Sequence, residues 1–133
     1  MVKISYMMLK NPVVVTSETR LLGVALRMKE YGVRNILVSR NGKLAGIISA
    51  WDIMHFLAEK TEWNIPVEKV MHIPELTIES DRWITDALEM CENNNASHIA
   101  VAEDGEWIGI IRADDILHTY RFGYSNVDEG EEK

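Results

Sequence analysis

An internal repeat is the feature of this chain that most constrains its fold. When residues 36–55 are aligned with residues 99–118 at an offset of 63, 10 of the 20 positions are identical, whereas chance gives about one. The match centres on a Gly-Ile-Ile segment. In both copies this segment is followed, a few residues later, by Asp-Ile. A repeat of this length predicts two copies of one supersecondary unit that bury their faces against each other. A pocket built by one copy should then have a counterpart in the other.

The bulk properties fit one domain made of two small halves. The chain has 133 residues, and a half of about 60 residues buries too little surface to be stable alone, so we expect a shared core. The hydrophobic fraction of 47% is that of an ordinary globular protein. The net charge of −7 argues against nucleic acid as a partner, because nucleic-acid binding depends on Lys and Arg side chains that neutralise phosphates.

Cysteine usage and hydropathy indicate the cellular setting. Cys91 is the single cysteine, which excludes an internal disulfide and a thiolate metal cluster. The sequence has no signal segment and no run of about 18 apolar residues that could span a bilayer. We therefore expect a cytoplasmic protein without a membrane partner. The four histidines lack the spacing of a zinc site, so no metal is expected.

Apolar patterning predicts the order strand, helix, strand, strand, helix in both copies. The elements of the first copy are a strand after Pro12, a helix from Thr19 to Tyr31 ended by Gly32, a hairpin at Asn41-Gly42 and a helix from Trp51 to Glu59. Those of the second are a strand at residues 76–78, a helix capped by Asp81, a hairpin at Asp104-Gly105 and a helix from Asp114 to Tyr120. Cys91 lies on an apolar helical stripe and is expected in the core.

The copies are expected to differ by one residue in the loop after the first helix. Pro12 matches Pro74 at an offset of 62 and Gly46 matches Gly109 at 63, which puts an extra residue in Asn93-Asn94-Asn95. The predicted division is a first repeat at residues 1–60, a second at 61–123 and an acidic flexible tail at 124–133.

The doubled unit resembles the CBS domain, a family named after cystathionine β-synthase, whose paired form is called a Bateman module. The resemblance covers residues 5–122 and depends on the combination of a Met and Pro opening, an early helix, a hairpin and a glycine-to-aspartate motif. It implies an α/β (α+β) fold of tandem repeats packed with pseudo-twofold symmetry. It also implies two clefts between the repeats that bind adenosine compounds such as AMP, ADP, ATP or S-adenosylmethionine.

The resemblance assigns ligand contacts to residues of both copies. In the first copy, Ser49 approaches phosphate, Asp52 accepts from ribose hydroxyls, adenine lies near Val14, and Arg34 and Asn35 face phosphate groups. The second copy offers, by the same rule, Leu76, Ser97, His98, Arg112 and Asp115. Physical chemistry supports the pair at the helix start independently. Free N–H groups and the helix dipole favour an anion near Ser49, and an acceptor-only carboxylate suits a diol.

Other interpretations of these residues stay open. Ser49 and Asp52 also fit a capping box, which bonds only the backbone of the helix itself. Arg112 stands where the family has Ser or Thr, and its guanidinium can grip a phosphate or fill the cleft by pairing with Asp114 or Asp115. We predict that the Ser49–Asp52 cleft binds ligand, and we make no such prediction for the cleft with Arg112.

Residues next to the motifs also have two interpretations each. His98 can contact phosphate or be a strand-edge residue with a local partner. His55 and His118 occupy equivalent positions on the last helices, which indicates packing or an interface. Trp51 is expected in core or dimer packing or at the border of the cleft.

The leading hypothesis is a regulatory module for energy sensing that binds an adenine nucleotide without chemistry or a required cofactor. No catalytic set, paired carboxylates or phosphate-binding glycine loop indicates an enzyme. The resemblance implies a homodimer formed through helices, with apolar surface offered by Ile53, Met54, Phe56 and Leu57, and a regulated protein of unknown identity. The alternative is a structural module with empty clefts that dimerises or docks on a protein. Nucleic-acid binding, found in some of the family, is a third hypothesis against which the acidic charge counts.

Overall fold

Each half of the chain folds as a strand, a helix, two strands and a helix, as the sequence predicts. The computed structural model describes residues 2–8 and 12–123, so the predicted tail at residues 124–133 lies outside the described residues. The described chain divides into two compact units. We call residues 12–73 the first unit, and residues 2–8 with 74–123 the second unit.

The first unit has a three-stranded sheet of order β1-β2-β3, in which β1 is parallel and β3 antiparallel to β2. Its elements are β1 (Val14–Thr16), α1 (Leu21–Tyr31), β2 (Asn35–Arg40), β3 (Lys43–Ser49) and α2 (Ala50–Glu59). Asn41 and Gly42 both have positive φ, 53° and 78°, which is the backbone that a two-residue hairpin turn requires. The predicted Asn-Gly hairpin is confirmed.

The second unit repeats this topology with the strand order β4-β5-β6. Its elements are β4 (Thr77–Glu79), α3 (Ile84–Asn93), β5 (His98–Glu103), β6 (Glu106–Arg112) and α4 (Ala113–His118). A wider helical turn over Thr119–Gly123 follows α4.

The core of each unit forms where alternate strand residues meet the helices. The cluster of the first unit comprises Val15, Leu21, Val24, Met28, Ile36, Val38, Ile48, Ile53, Val67 and Met71. The cluster of the second comprises Val2, Ile4, Ile78, Ile84, Ala87, Cys91, Ile99, Val101, Ile111 and Ile116. The predicted core position of Cys91 is confirmed, and burial raises the pKa of its thiol. A protonated, buried thiol is a poor nucleophile.

The segment that precedes each repeat completes the core of the other repeat. Residues 2–8 belong to the second unit, and the equivalent residues 65–71 belong to the first. The main-chain N–H groups of Ile4 and Val67, which are 63 residues apart, each donate to a carbonyl oxygen at 2.8 Å, and both side chains are fully buried. The compact units and the sequence repeats therefore have different boundaries. We call residues 2–8 and 65–71 the anchoring segments.

A single offset of 63 relates the two halves, so the extra loop residue expected in Asn93–Asn95 is a wrong prediction. β1 and β4 begin 63 residues apart, and so do α1 and α3. Gly32, the C-cap of α1, and Asn95, the residue after the C-cap of α3, are also 63 apart and have positive φ values of 64° and 49°. The offset of 62 came from Pro12 and Pro74, which are not structurally equivalent.

The start of α3 also differs from the prediction, because its N-cap is Trp83 and not Asp81. The main-chain N–H of Trp83 donates to the carboxylate of Asp86 at 3.1 Å, and the Arg82 guanidinium lies 3.3 Å from the same oxygen. The hydrogen bond from Trp83 is the largest cause that lowers the pKa of Asp86, and the Arg82 charge adds to it. Asp86 therefore has a lower pKa in the folded than in the unfolded chain.

We expect the Asp86 cap to make stability depend on acid pH. Because folding lowers its pKa, its contribution is present above the ordinary value of 3.8 and is lost as the pH falls through the folded value. The unfolding free energy of Asp86→Asn, measured by denaturant titration, should fall less steeply than that of the wild type as the pH drops from about 5 to about 3. Parallel curves for the two proteins would contradict this assignment.

Each anchoring segment passes close to a glycine of its unit, and the two glycine positions differ in how well they tolerate a larger residue. A Cβ atom at Gly46 would lie 2.9 Å from the main-chain oxygen of His72 and 2.7 Å from the Met71 sulfur. A Cβ at Gly109 would meet only the end of the flexible Met8 side chain. Gly46→Ala should therefore cost about 1–3 kcal/mol of unfolding free energy. Gly109→Ala should cost less, and equal losses in chemical denaturation would refute the distinction.

Candidate functional site

Three of the predicted ligand residues of the first unit lie on one face of its sheet. Ile36 and Ile48 point into the helix-covered core, and strand side chains alternate, so Asn35 and Ser49 point to the opposite face. These two residues are direct partners in β2 and β3. Val14 reaches the same face from β1, where its neighbour Val15 is in the core. We call this surface the ligand face of the first unit.

Two apolar residues of the ligand face were not singled out in the sequence. Leu37 pairs with Val14 on one side and with Ile47 on the other, so the three side chains form a row across the sheet. Val14 and Leu37 retain solvent exposure, and Ile47 is buried. Leu37 lies two residues after Asn35, and Ile47 lies two residues before Ser49. This spacing is the sequence signal that identifies both, because residues i and i+2 share a strand face.

Asn35 contributes a buried acceptor without a partner. Its Oδ1 atom is inaccessible to solvent and has no hydrogen bond among the residues that the structure describes. An unpaired buried acceptor costs free energy, so such an atom calls for a donor. Arg34, the residue before it, is exposed, and its main-chain oxygen accepts from the N–H of Ala50 at 2.9 Å. That bond ties the start of β2 to the start of α2.

Ser49 and Asp52 form the capping box at the start of α2. The main-chain N–H of Asp52 donates to the Ser49 hydroxyl at 3.0 Å, and the N–H of Ser49 donates to Oδ2 of Asp52 at 2.8 Å. Ser49 is buried and Asp52 is half-buried. Within the described part of the chain, Oδ1 of Asp52 accepts no hydrogen bond, so it remains available to a ligand. The predicted capping box is therefore confirmed, and its two hydrogen bonds fix both side chains in place.

The equivalent residues of the second unit are arranged differently. His98 and Arg112 are direct partners in β5 and β6, as Asn35 and Ser49 are in the first unit. The Ser97 hydroxyl lies 2.7 Å from Nδ1 of His98, which confirms a local partner for this histidine. Arg112 pairs with Asp114 at 3.7 Å, one of the alternatives left open by the sequence. Asp115 is exposed, and the N-cap position of α4 has no side-chain hydrogen bond.

Leu76 does not lie where its proposed equivalence to Val14 puts it. With the offset of 63, the position of Val14 is taken by Thr77, and Leu76 corresponds to Val13. The main-chain oxygens of Val13 and Leu76 accept from β2 and β5, and both side chains pack against their cores. The structure thus brings together His98, Arg112 and Thr77, and it turns Leu76 away from them.

Residues of the last helices are mostly outside these surfaces. His55 and His118 are exposed, and the His55 ring meets the edge of the Trp51 ring at 4.5 Å between centroids. Ile53 is a core residue, and Phe56 and Leu57 pack against the same core, so they do not supply the apolar helix surface expected of them. Met54, the fourth residue of that prediction, is 60% exposed.

Neither a membrane span nor a metal cluster is found in the described residues. None of the helices found there combines the length and apolar character needed to cross a bilayer. In residues 2–8 and 12–123, His, Cys, Asp and Glu side chains form no group of three that could hold a metal ion.

The two units differ in charge. The first unit carries eight Lys or Arg residues against six Asp or Glu, whereas the described second unit carries four against eleven. Their formal net charges are therefore +2 and −7. An anion approaching the first unit meets a weakly favourable field, and one approaching the second meets repulsion.

The first half of the chain matches one protein family. Residues 2–59 match the family model described as CBS domain, and the second half repeats the same β-α-β-β-α unit. A solved structure of a conserved uncharacterised protein from Pyrococcus horikoshii has a TM-score of 0.73, with 24% identity over 90% of this chain and 92% of that one. The architecture is that of a CBS pair.

Two similar structures were solved with ligands. A CBS domain protein from Pyrobaculum aerophilum complexed with AMP has a TM-score of 0.69, at 19% identity over 86% of this chain and 89% of that one. The CBS domain pair of protein MJ0100, in complex with 5′-methylthioadenosine and S-adenosyl-L-methionine, has a TM-score of 0.68, at 22% identity over 89% and 94%.

Curated relatives are uncharacterised. A 17.7 kDa protein of Acidianus ambivalens is 28% identical over 129 residues, which is 91% of this chain and 78% of that protein. A Methanocaldococcus jannaschii protein is 39% identical over 80 residues, and the match spans 58% of this chain but only 25% of that longer protein.

We expect removal of the Asp52 carboxylate to destabilise the fold, unlike the same change in the second unit. Asp52→Ala removes the bond from the Ser49 N–H and should cost about 1 kcal/mol. Asp115→Ala removes no cap and should change the unfolding free energy by less than about 0.5 kcal/mol. Chemical denaturation of both variants checks this, and a larger loss for Asp115→Ala would contradict it.

Proposed function

We propose that this CBS pair is a regulatory module that binds an adenine nucleotide, of the AMP, ADP or ATP class, without catalysis. The ligand face of the first unit and the start of α2 form the binding surface of this proposal. The bound nucleotide shifts the population of the module's conformations, and a regulated protein responds to the shift. The shift is limited by the difference in the ligand's affinity for those conformations.

The observation that carries the proposal is the buried, unpartnered Oδ1 of Asn35 beside the Ser49–Asp52 cap. A ligand with an N–H or O–H donor, which adenine and ribose both have, would satisfy the hydrogen-bonding capacity of this acceptor. The second oxygen of Asp52 offers another acceptor, suited to a ribose hydroxyl. The Val14 and Leu37 side chains supply an apolar surface for a base. Arg34 is the cation nearest in sequence to Asn35, and it suits a phosphate.

Charge and similarity support the choice of ligand class. The first unit carries a formal charge of +2, which favours a phosphorylated adenosine over an uncharged one. Structures of similar fold were solved with AMP, and with 5′-methylthioadenosine and S-adenosyl-L-methionine. For the second unit the −7 charge and the Arg112–Asp114 pair disfavour a phosphate. We therefore propose one nucleotide per chain, and S-adenosylmethionine as the competing ligand class.

The alternative function is an interaction module without a ligand, and the completed capping box is the observation that favours it. Ser49 and Asp52 already satisfy each other's backbone groups, so neither needs a nucleotide for its own stability. This alternative gives Asn35 no role, and the two functions therefore differ in what they predict for that residue.

Substitution of Asn35 separates the two functions. Asn35→Ala removes an unsatisfied buried acceptor, so the unfolding free energy should stay the same or rise. Under the nucleotide proposal, the same variant should lose at least about tenfold in affinity, which corresponds to one lost hydrogen bond. The measurements are isothermal titration with AMP, ADP, ATP and S-adenosylmethionine, and thermal unfolding. His98→Ala, the equivalent change in the second unit, is the matched control.

Three outcomes are informative. Nucleotide binding by the wild type and His98→Ala, but much weaker binding by Asn35→Ala, supports the proposal. Wild-type protein that binds none of the four compounds at millimolar concentration supports the interaction module instead. Binding that is insensitive to Asn35→Ala refutes the site proposed here even if a nucleotide is the ligand.

The stoichiometry is a separate prediction. The charge difference between the units predicts one AMP or ATP per chain, and Arg112→Ala should leave that site unchanged. Titration that fits two equal, independent sites per chain would overturn the asymmetry. The dependence of affinity on salt gives a further check, because attraction of the nucleotide by the first unit weakens as salt screens it.

A further inference from the structure

The apolar row of the ligand face continues past the edge of β3 onto His72. The main-chain N–H of His72 donates to the oxygen of Ile47 at 2.8 Å, and the N–H of Ile47 donates in return to the oxygen of His72 at 3.0 Å. Two residues that exchange both bonds are directly opposed in an antiparallel pair, so their side chains lie on the same side of the sheet. The half-buried side chain of His72 therefore extends the ligand face of the first unit.

His72 lies level with the apolar row and not with the cap of α2. Across the strands, it follows Leu37 and Ile47. Neighbouring strands are about 4.8 Å apart, so His72 is about 10 Å from Leu37, with Ile47 between them. Asn35 and Ser49 lie two residues along their strands from this row, which is about 6.6 Å. A base on the apolar row therefore has His72 beside one edge, and groups bound at the cap lie farther from it.

We propose that His72 contacts the base of the bound nucleotide and selects adenine. This role rests on the nucleotide binding proposed above for the first unit. One nitrogen of a neutral imidazole accepts a hydrogen bond, and the amino group at position 6 of adenine donates one. Hypoxanthine has an accepting oxygen at position 6 instead. Two acceptors that face each other leave both groups unpaired, and a site built to bond one base rejects the other for that reason.

The histidine distinguishes the first repeat from the second. The residue 63 positions earlier in the sequence is Leu9, so the other repeat has an apolar side chain at this place. The two bonds that join His72 to Ile47 are made by main-chain atoms, which any residue but proline can supply. His72→Leu therefore introduces the side chain of the other repeat and should be compatible with the fold.

Titration of the full-length chain with AMP, adenosine and inosine monophosphate (IMP) tests the role of His72. His72→Leu should weaken AMP and adenosine by the same factor, about five- to tenfold, because the two ligands share the base. It should weaken IMP less, so the preference for AMP over IMP falls. The matched control is His55→Leu, which removes an exposed histidine from α2 of the same unit. This control should leave all three affinities unchanged.

The outcomes separate the role of His72 from the proposed function. If the wild type binds neither AMP nor adenosine, the proposed function fails, and the role of His72 fails with it. If Asn35→Ala weakens AMP binding and His72→Leu does not, nucleotide binding stands and the role of His72 is overturned. A loss of affinity for AMP alone, with adenosine unchanged, indicates a phosphate contact and overturns the assignment to the base.

A second variant covers the case in which His72→Leu does not fold, as judged by circular dichroism. His72→Phe keeps a planar ring and removes both nitrogens, so it should lower the preference for AMP over IMP in the same way. An unchanged preference in this variant overturns the proposal.

Discussion

The packing of the anchoring segments is the interaction on which the rest of the structure depends. Each sheet with its two helices leaves a gap that the other repeat's leading segment fills, through Ile4 in one unit and Val67 in the other. The chain passes so close to Gly46 and Gly109 that neither position has room for a Cβ without movement. The edge of the sheet that carries Ser49 is thus held in place by residues 65–71 and by the paired main-chain bonds between Ile47 and the next residue, His72.

The nucleotide proposal follows from differences between two copies of one fold. The backbone geometry at Ser49 recurs at Arg112, including the hydrogen bond from the next residue to the end of the preceding loop. The side chains change what each place can bind. A hydroxyl and a carboxylate close the cap in one copy, whereas a guanidinium and two exposed carboxylates stand at the start of the helix in the other. Symmetry of the backbone therefore does not imply symmetry of ligand binding.

The element order, both hairpins and the core position of Cys91 could be predicted from sequence, because they depend on local signals: a two-residue period, an Asn-Gly turn, a 3.6-residue stripe. The errors came from features that are not local. The offset was misjudged because two prolines at different structural positions were aligned, and this put Leu76 on the wrong side of its sheet. Asp81 was chosen as a cap by residue type, although Asp86 reaches back to the Trp83 N–H. The orphaned oxygen of Asn35 depends on packing, which no short motif encodes.

The exchanged anchoring segments also have a consequence for the order of events during synthesis. Residues 12–73 are continuous and include their own anchor, so the first unit is complete when residue 73 leaves the ribosome. Residues 2–8 are made before the first unit, yet the strands and helices that bury Val2 and Ile4 are made after it. Their apolar side chains therefore cannot reach their final packing until the second unit has been synthesised. Residues 2–8 are therefore translated before the first unit but reach their final packing after it.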